Sequence, residues 1–205
     1  SGDIVAAKIS LTFIDENSEQ SYRDLRREIN ILSRISHPST VKFIGFSPTD
    51  FHGEKKPVII TEFLSNGSLE DVLELEKRGL CENAWNDTQK LICIYGIASG
   101  MSYLHKNNII HRDLKPGNIL MDDFLLPRIA DFGLSKIKHQ SKESISAKST
   151  TMIKGTAIYI APEIWEEMDY TPACDVYAFA IIVYQIITCE EPWKNLKFLQ
   201  IHSKV

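Results

Sequence analysis

The chain has 205 residues, 43% of them hydrophobic and 24% charged, with a formal net charge of −4. That length suffices for one sizeable core or for two small lobes sharing a cleft, and the mildly acidic balance gives no reason to expect nucleic acid as a partner. Four cysteines, Cys81, Cys93, Cys174 and Cys189, form no C-x-x-C pair, which argues against a zinc ribbon or disulfide scaffold and for a reducing, cytoplasmic compartment.

No basic stretch followed by an apolar run opens the chain, so no secretory signal is expected, and a first residue of Ser rather than Met reads as a processed or excised piece. Residues 4–11 (IVAAKISL) are apolar and β-branched and predict a strand. Asn17 with Gln20 has the spacing of a capping box. Tyr22, Leu25, Ile29 and Leu32 then recur at helical steps, ending before His37-Pro38 because proline disfavours helix in the residue before it. Residues 41–46 and 58–63 predict two further strands around a polar loop.

Past Asn66-Gly67 the pattern becomes helical. Ser68 and Asp71 predict a capped helix that stops at Gly79, and Ile94, Ile97, Ala98, Met101 and Leu104 mark the apolar face of a second helix over 87–105. Short strands are expected at 118–120 and 128–130. Residues 135–152 are polar, aperiodic and rich in Ser, Thr and Lys, and read as a mobile loop. The longest apolar run, 176–187, is broken only by Gln185; it is too short to span a bilayer and reads as a buried helix. Small sheet first and helices second predict an α+β chain of two lobes, 1–63 and 64–205, hinged near 62–66.

Residues 111–118 (HRDLKPGN) bring together the groups that phosphoryl transfer requires. Asp113 can accept a hydroxyl proton, Lys115 supplies a cation near the transferring phosphate, and Asn118 offers an oxygen to Mg²⁺. A polar turn would explain any one of these residues, but hardly all eight in order. Asp131-Phe132-Gly133 follows, where Asp131 can give the metal a second hard oxygen and Gly133 gives the backbone freedom. Ala6 and Lys8 share one face of the first strand, a small residue that admits a flat base followed by a cation for phosphates. Alone, Lys8 would read as an edge lysine in solvent. Glu28, however, lies on the apolar stripe of the helix, where an unpaired charge is costly, and a Lys8–Glu28 ion pair would satisfy both.

With these motifs in this order, the sequence resembles the eukaryotic protein kinase catalytic domain, in its serine/threonine or tyrosine-kinase-like branches. V-A-x-K at 5–8, H-R-D-L-K-P-x-N at 111–118, D-F-G at 131–133, G-T-x-x-Y-x-A-P-E at 155–163 and D-V-Y-x-F at 175–179 span essentially the whole chain. The resemblance implies ATP and Mg²⁺ as cofactors and a two-lobed fold. It implies that Lys8, paired with Glu28, holds the α- and β-phosphates, that Asp113 is the catalytic base beside Lys115, and that Asn118 and Asp131 ligate the metal. Thr61 matches the gatekeeper and Glu62 to Leu64 the adenine-binding hinge, while Ala6 and Leu120 match the pair that sandwiches the base. Leu32, Phe43, His111 and Phe132 match the apolar column linking the lobes. Lys115-Pro116 and Thr156 resemble serine/threonine enzymes, whereas IITEFLSNGSL and the 174–188 stretch look more like tyrosine kinases, so a protein substrate with a Ser/Thr acceptor is expected.

Two parts of the family pattern are not found. Too few residues precede Lys8 for a glycine-rich loop, and the arginine that usually pairs with Glu163 does not follow, so the fold is expected to be incomplete at both termini. The competing class is a pseudokinase scaffold, against which Lys8, Asp113, Asn118 and Asp131 are all present. A small-molecule phosphotransferase is disfavoured by the peptide-docking A-P-E segment. Ser144, Ser146, Ser149, Thr150 and Thr151 are candidate phosphorylation sites for an upstream kinase or trans-autophosphorylation, with Arg112 as the expected phosphate partner.

Overall fold

A computed structural model describes residues 4–9, 19–81, 84–137, 157–166 and 168–193. Its first unit is an antiparallel sheet in the order β1 (Val5–Ile9), β3 (Val58–Glu62), β2 (Phe43–Ser47), with Ala6 opposite Thr61 and Lys8 opposite Ile59. α1 (Glu19–Leu32) carries Ile31 and Leu32 into the core, and these burials rather than propensity hold it in place. The sequence places a strand at 41–46, yet β2 starts at Phe43. The Val41 N–H is taken by the Ile129 carbonyl at 2.9 Å, and a register shift follows between Phe43 and Gly45. Likewise α1 ends at Leu32, five residues before His37, whose Nδ1 accepts the Ser39 N–H at 3.0 Å while its ring stacks on Tyr103. The expected Asn17 cap lies outside the described residues.

α2 (Leu69–Lys77) begins with a complete capping box. Ser68 Oγ accepts the Asp71 N–H, Asp71 Oδ2 accepts the Ser68 N–H, and Gly79 follows the helix end at φ 67°. α3 (Asp87–Lys106) is the central helix, capped by Asn86 and burying Cys93, Ile97, Met101 and Leu104. Two of its residues, Gly96 and Gly100, let β6 (Pro127–Ile129) approach. A Cβ at either would lie 2.6 Å from Pro127 Cγ or 2.7 Å from Ile129 Cδ1.

β5 (Ile119–Met121) pairs with β6, and β4 (Ile109–Ile110) pairs with β7 (Lys136–Ile137). The expected loop at 135–152 thus begins inside a strand pair, and 138–152 lie outside the described residues. After the short α4 (Pro162–Trp165) comes α5 (Pro172–Thr188), capped by Thr171. Expected as a buried helix, α5 buries Ala178, Ile182 and Ile186 but leaves Val176, Tyr184 and Ile187 between 42% and 64% exposed, because no described residue covers its other face. One contiguous apolar cluster runs from Ile31, Leu32 and Ile59 through α2 and α3 to Leu114, Phe132 and Ile186. None of the described helices is long and apolar enough to cross a membrane.

Candidate active site

Two short segments, 111–118 and 130–135, are held against each other by hydrogen bonds that their sequence requires. The His111 ring is fully buried, with its Nε2 3.0 Å from the Ala130 carbonyl. A carbonyl can only accept, so Nε2 carries the hydrogen and Nδ1 is left to accept the Asp113 N–H at 3.4 Å. Phe132, also fully buried, tilts against that ring at 5.3 Å between centroids. Ser135 Oγ donates to the His111 carbonyl. Phe132 thus anchors its segment in the core, while its neighbour Asp131 stays half-exposed in a left-handed conformation with φ 58°.

Asp113 is hydrogen-bonded to two other residues of its own loop. Lys115 Nζ lies 2.8 Å from Asp113 Oδ2, and Asn118 Nδ2 donates to Asp113 Oδ2 at 2.9 Å and to the Asp113 carbonyl at 2.7 Å. Because the Asn118 NH₂ faces two acceptors, its amide orientation is fixed, and its carbonyl oxygen has no described hydrogen-bond partner.

Lys8 reaches across from β1 to two carboxylates, with Nζ 2.8 Å from Glu28 Oε1 and 2.7 Å from Asp131 Oδ1. Burial pushes the Glu28 carboxyl up from its ordinary value, and Lys8 only partly offsets this. At Asp131 burial also works upward, but the Lys8 ammonium and the Gly133 N–H win and hold it below the usual carboxylate range. Burial works downward on Lys8 itself, and the two carboxylates more than compensate, so its pKa rises.

A cavity of about 270 Å³ opens between these groups, lined by Lys8, Glu28, Thr61, Asn118, Leu120 and Asp131 among others. Of the residues expected at the nucleotide, Ala6 and the hinge from Glu62 to Leu64 are not in its lining. Ala6 is on the Lys8 face of β1, opposite Thr61. Glu62 is engaged with Lys42, its N–H donating to the Lys42 carbonyl at 3.0 Å and its carboxylate accepting the Lys42 N–H at 2.8 Å. Leu64 is half-buried beyond the strand end. The described residues contain no ready-made cluster of three metal-ligating side chains. Even so, Asn118 and Asp131 line one cavity, and their side-chain oxygens suit a hard cation that keeps most of its own water.

Asp175, at the start of α5, carries a structural task that the sequence did not reveal. It is 2% exposed, and its carboxylate accepts the His111 N–H (2.9 Å), the Arg112 N–H (2.9 Å) and His105 Nε2 (2.8 Å). Arg112, held this way, has φ 70°.

Among known families, the protein kinase domain matches residues 1–204 of this chain. Similar proteins include the serine/threonine-protein kinase CTR1 of Arabidopsis thaliana, 36% identical over 100% of this chain and 23% of its own length. Cysteine-rich receptor-like protein kinase 29 of the same plant is 37% identical over 88% of this chain and 26% of its own length. For the calcium/calmodulin-regulated receptor-like kinase 2, also from Arabidopsis thaliana, the figures are 34%, 95% and 42%. The chain therefore spans less than half the length of these relatives.

Proposed function

The chain belongs to the protein kinase family, and we propose that it transfers the γ-phosphoryl group of Mg·ATP to serine and threonine hydroxyls of proteins. The observation that carries this reading is the arrangement of Asp113, Lys115 and Asn118 in one loop, beside a cavity that also presents Lys8, Glu28 and Asp131. In this reading the small lobe ends at residue 63 and the large lobe begins at 64. The base of ATP lies between Ala6 and Leu120, next to Thr61 and the backbone of Glu62 to Leu64.

Asn118 and Asp131 would hold Mg²⁺, which supplies neutralisation of the phosphate charge. Asp113 orients the acceptor hydroxyl and takes its proton as the oxygen–phosphorus bond forms and the bond to the ADP oxygen breaks. The Lys115 ammonium, 2.8 Å from Asp113, would offset the charge that gathers on the transferred group. Lys8 binds the remaining phosphates while Glu28 fixes its direction. The need for ATP supports an intracellular, cytoplasmic location for this domain.

Regulation is part of the reading. A phosphate on Thr150 or Thr151, added by an upstream kinase or in trans, would pair with Arg112; both threonines lie outside the described residues.

The test is Asp113→Asn in the full-length protein. Transfer should fall by at least about a thousandfold while nucleotide affinity stays within a few-fold, since a base acts in the chemical step. Phosphoamino-acid analysis of the products should return phosphoserine and phosphothreonine. Affinity that fell together with turnover would refute the role of Asp113. In the same assay, full activity of a Thr150→Ala/Thr151→Ala variant would remove the switch.

A further inference from the structure

The entrance of α5 holds the catalytic loop twice. Asp175 takes its backbone, and Tyr170, two residues before the helix, takes a side chain. The Arg112 guanidinium lies over the Tyr170 ring, 4.5 Å from its centroid. We propose that Tyr170 is a positioning residue for phosphoryl transfer, its ring face clamping the Arg112 guanidinium and so fixing the left-handed backbone that aims Asp113.

Three observations converge on this. A non-glycine residue at φ 70° is strained and persists only where its surroundings over-determine it. Asp175 fixes the two peptide N–H groups on the N-terminal side of the kink and His111 Nδ1 takes the next one only at 3.4 Å, so the Arg112 side chain is the further handle on the residue next to Asp113. The handle is itself in an awkward place. Among the described residues its buried Nε has no hydrogen-bond partner. Burial works against its charge, and the Arg27 cation adds to that, while Tyr170 and Asp175 oppose them. A guanidinium with a like charge nearby and an unpaired nitrogen would swing toward water unless something attractive covered its face. An aromatic ring does so without demanding a hydrogen bond. The packing leaves little slack, since Arg112, Asp113, Tyr170 and Cys174 surround a cavity of only about 20 Å³.

The inference rests on Asp113 being the base, so its test must separate the two. In the full-length protein, Tyr170 is replaced by phenylalanine and then by mono-, di- and trifluorinated phenylalanines through amber suppression. The series keeps the shape of the ring and progressively removes the negative charge of its face. Transfer to dephosphorylated casein is measured with varied ATP, together with the melting temperature. Tyr170→Phe should stay within about twofold of wild type, and kcat should fall stepwise to roughly a tenth in the trifluoro variant. KM for ATP and the melting temperature should hold steady across the series. A flat kcat series overturns the clamp, as does a fall in kcat matched by loss of ATP affinity or of thermal stability. Asp113→Asn is run alongside. If it still transfers phosphate, the base assignment fails; if it is inactive while the fluorinated series is flat, the clamp alone fails.

Discussion

Removing the Asp175 carboxylate should damage the 111–118 loop more than any exposed substitution, and the structure sets the size of the effect. Asp175→Ala leaves the N–H groups of His111 and Arg112, both 2.9 Å from that carboxylate, without their acceptor. An unsatisfied buried donor costs about 1–3 kcal/mol, so two donors bring the loss to about 2–6 kcal/mol before any relaxation. Part of that is recoverable if Arg112 leaves its left-handed conformation, a strain of order 1–3 kcal/mol, but doing so moves Asp113. The variant thus either keeps the loop and loses stability or relaxes and loses its geometry. For a domain of this size each kcal/mol lowers the melting temperature by about 2–4 °C, so a drop of at least about 4 °C is expected. Turnover should fall at least about a hundredfold, with a smaller change in nucleotide affinity. Asp175→Asn should be intermediate, because its amide oxygen can accept one N–H while its NH₂ confronts the other. Thermal denaturation and steady-state transfer measure both effects. A variant melting within 2 °C of wild type and retaining most of its kcat would refute this account of how the loop is held.

Two further outcomes follow from the site and from the packing of α3. Lys8→Met strips the buried Glu28 of its partner, so the raised pKa of that carboxyl should rise further. A carboxyl whose folded pKa lies above its unfolded value contributes stability at low pH and loses it as pH rises through the folded value. The melting temperature of Lys8→Met should therefore recover relative to wild type between pH 8 and pH 5; a constant gap would mean that Glu28 is not the group left unpaired. Gly96→Ala sets helix propensity, worth about 1 kcal/mol in favour, against a Cβ 2.6 Å from the rigid Pro127 ring, worth about 1–3 kcal/mol against. Overlap should win by about 1 kcal/mol, and a denaturation midpoint above wild type would show that β6 can move aside.

The order of elements and the loop chemistry were legible because they depend on neighbours in sequence. The capping box at Ser68 and Asp71 is local, as is the meeting of Asp113 with Lys115 and Asn118. The contact between Lys8 and Glu28 was legible from a distance only because an acid on an apolar helix stripe needs an answer, and a lysine within an apolar strand needs one too. The same reasoning passed over Asp175. An acid in the first turn of a helix is already explained by the helix dipole, so nothing in the sequence announced that this one is buried and accepts hydrogen bonds from residues 63 and 64 positions away. The exposed face of α5 and the start of β2 were misread for a related reason. An apolar run reports that burial is available, not which side receives it, and the pairing of Val41 with Ile129 depends on a segment almost ninety residues distant.

The charges in the cleft say something about how it would accept its substrate. One ammonium, Lys8, serves two carboxylates, so the Lys8–Glu28–Asp131 group has one negative charge in excess. Glu28 is buried and Asp131 half-exposed; burial raises both carboxyls and the shared cation lowers both, and burial wins at Glu28 while the cation and the Gly133 N–H win at Asp131. Breaking the buried contact would leave an uncompensated charge away from water, which is costly. The contact between Lys8 and Asp131 lies near solvent and is the cheaper one to break. Asp131 can release Lys8 at low cost only if another cation takes its place, and Lys8 can release Asp131 only toward another anion. Under the proposed function Mg·ATP brings both in one ligand, the metal for Asp131 and the phosphates for Lys8, while Glu28 keeps Lys8 from following the nucleotide out of position. ATP without a divalent cation would satisfy Lys8 and strand Asp131, so the cleft's own charges favour the complex over free nucleotide.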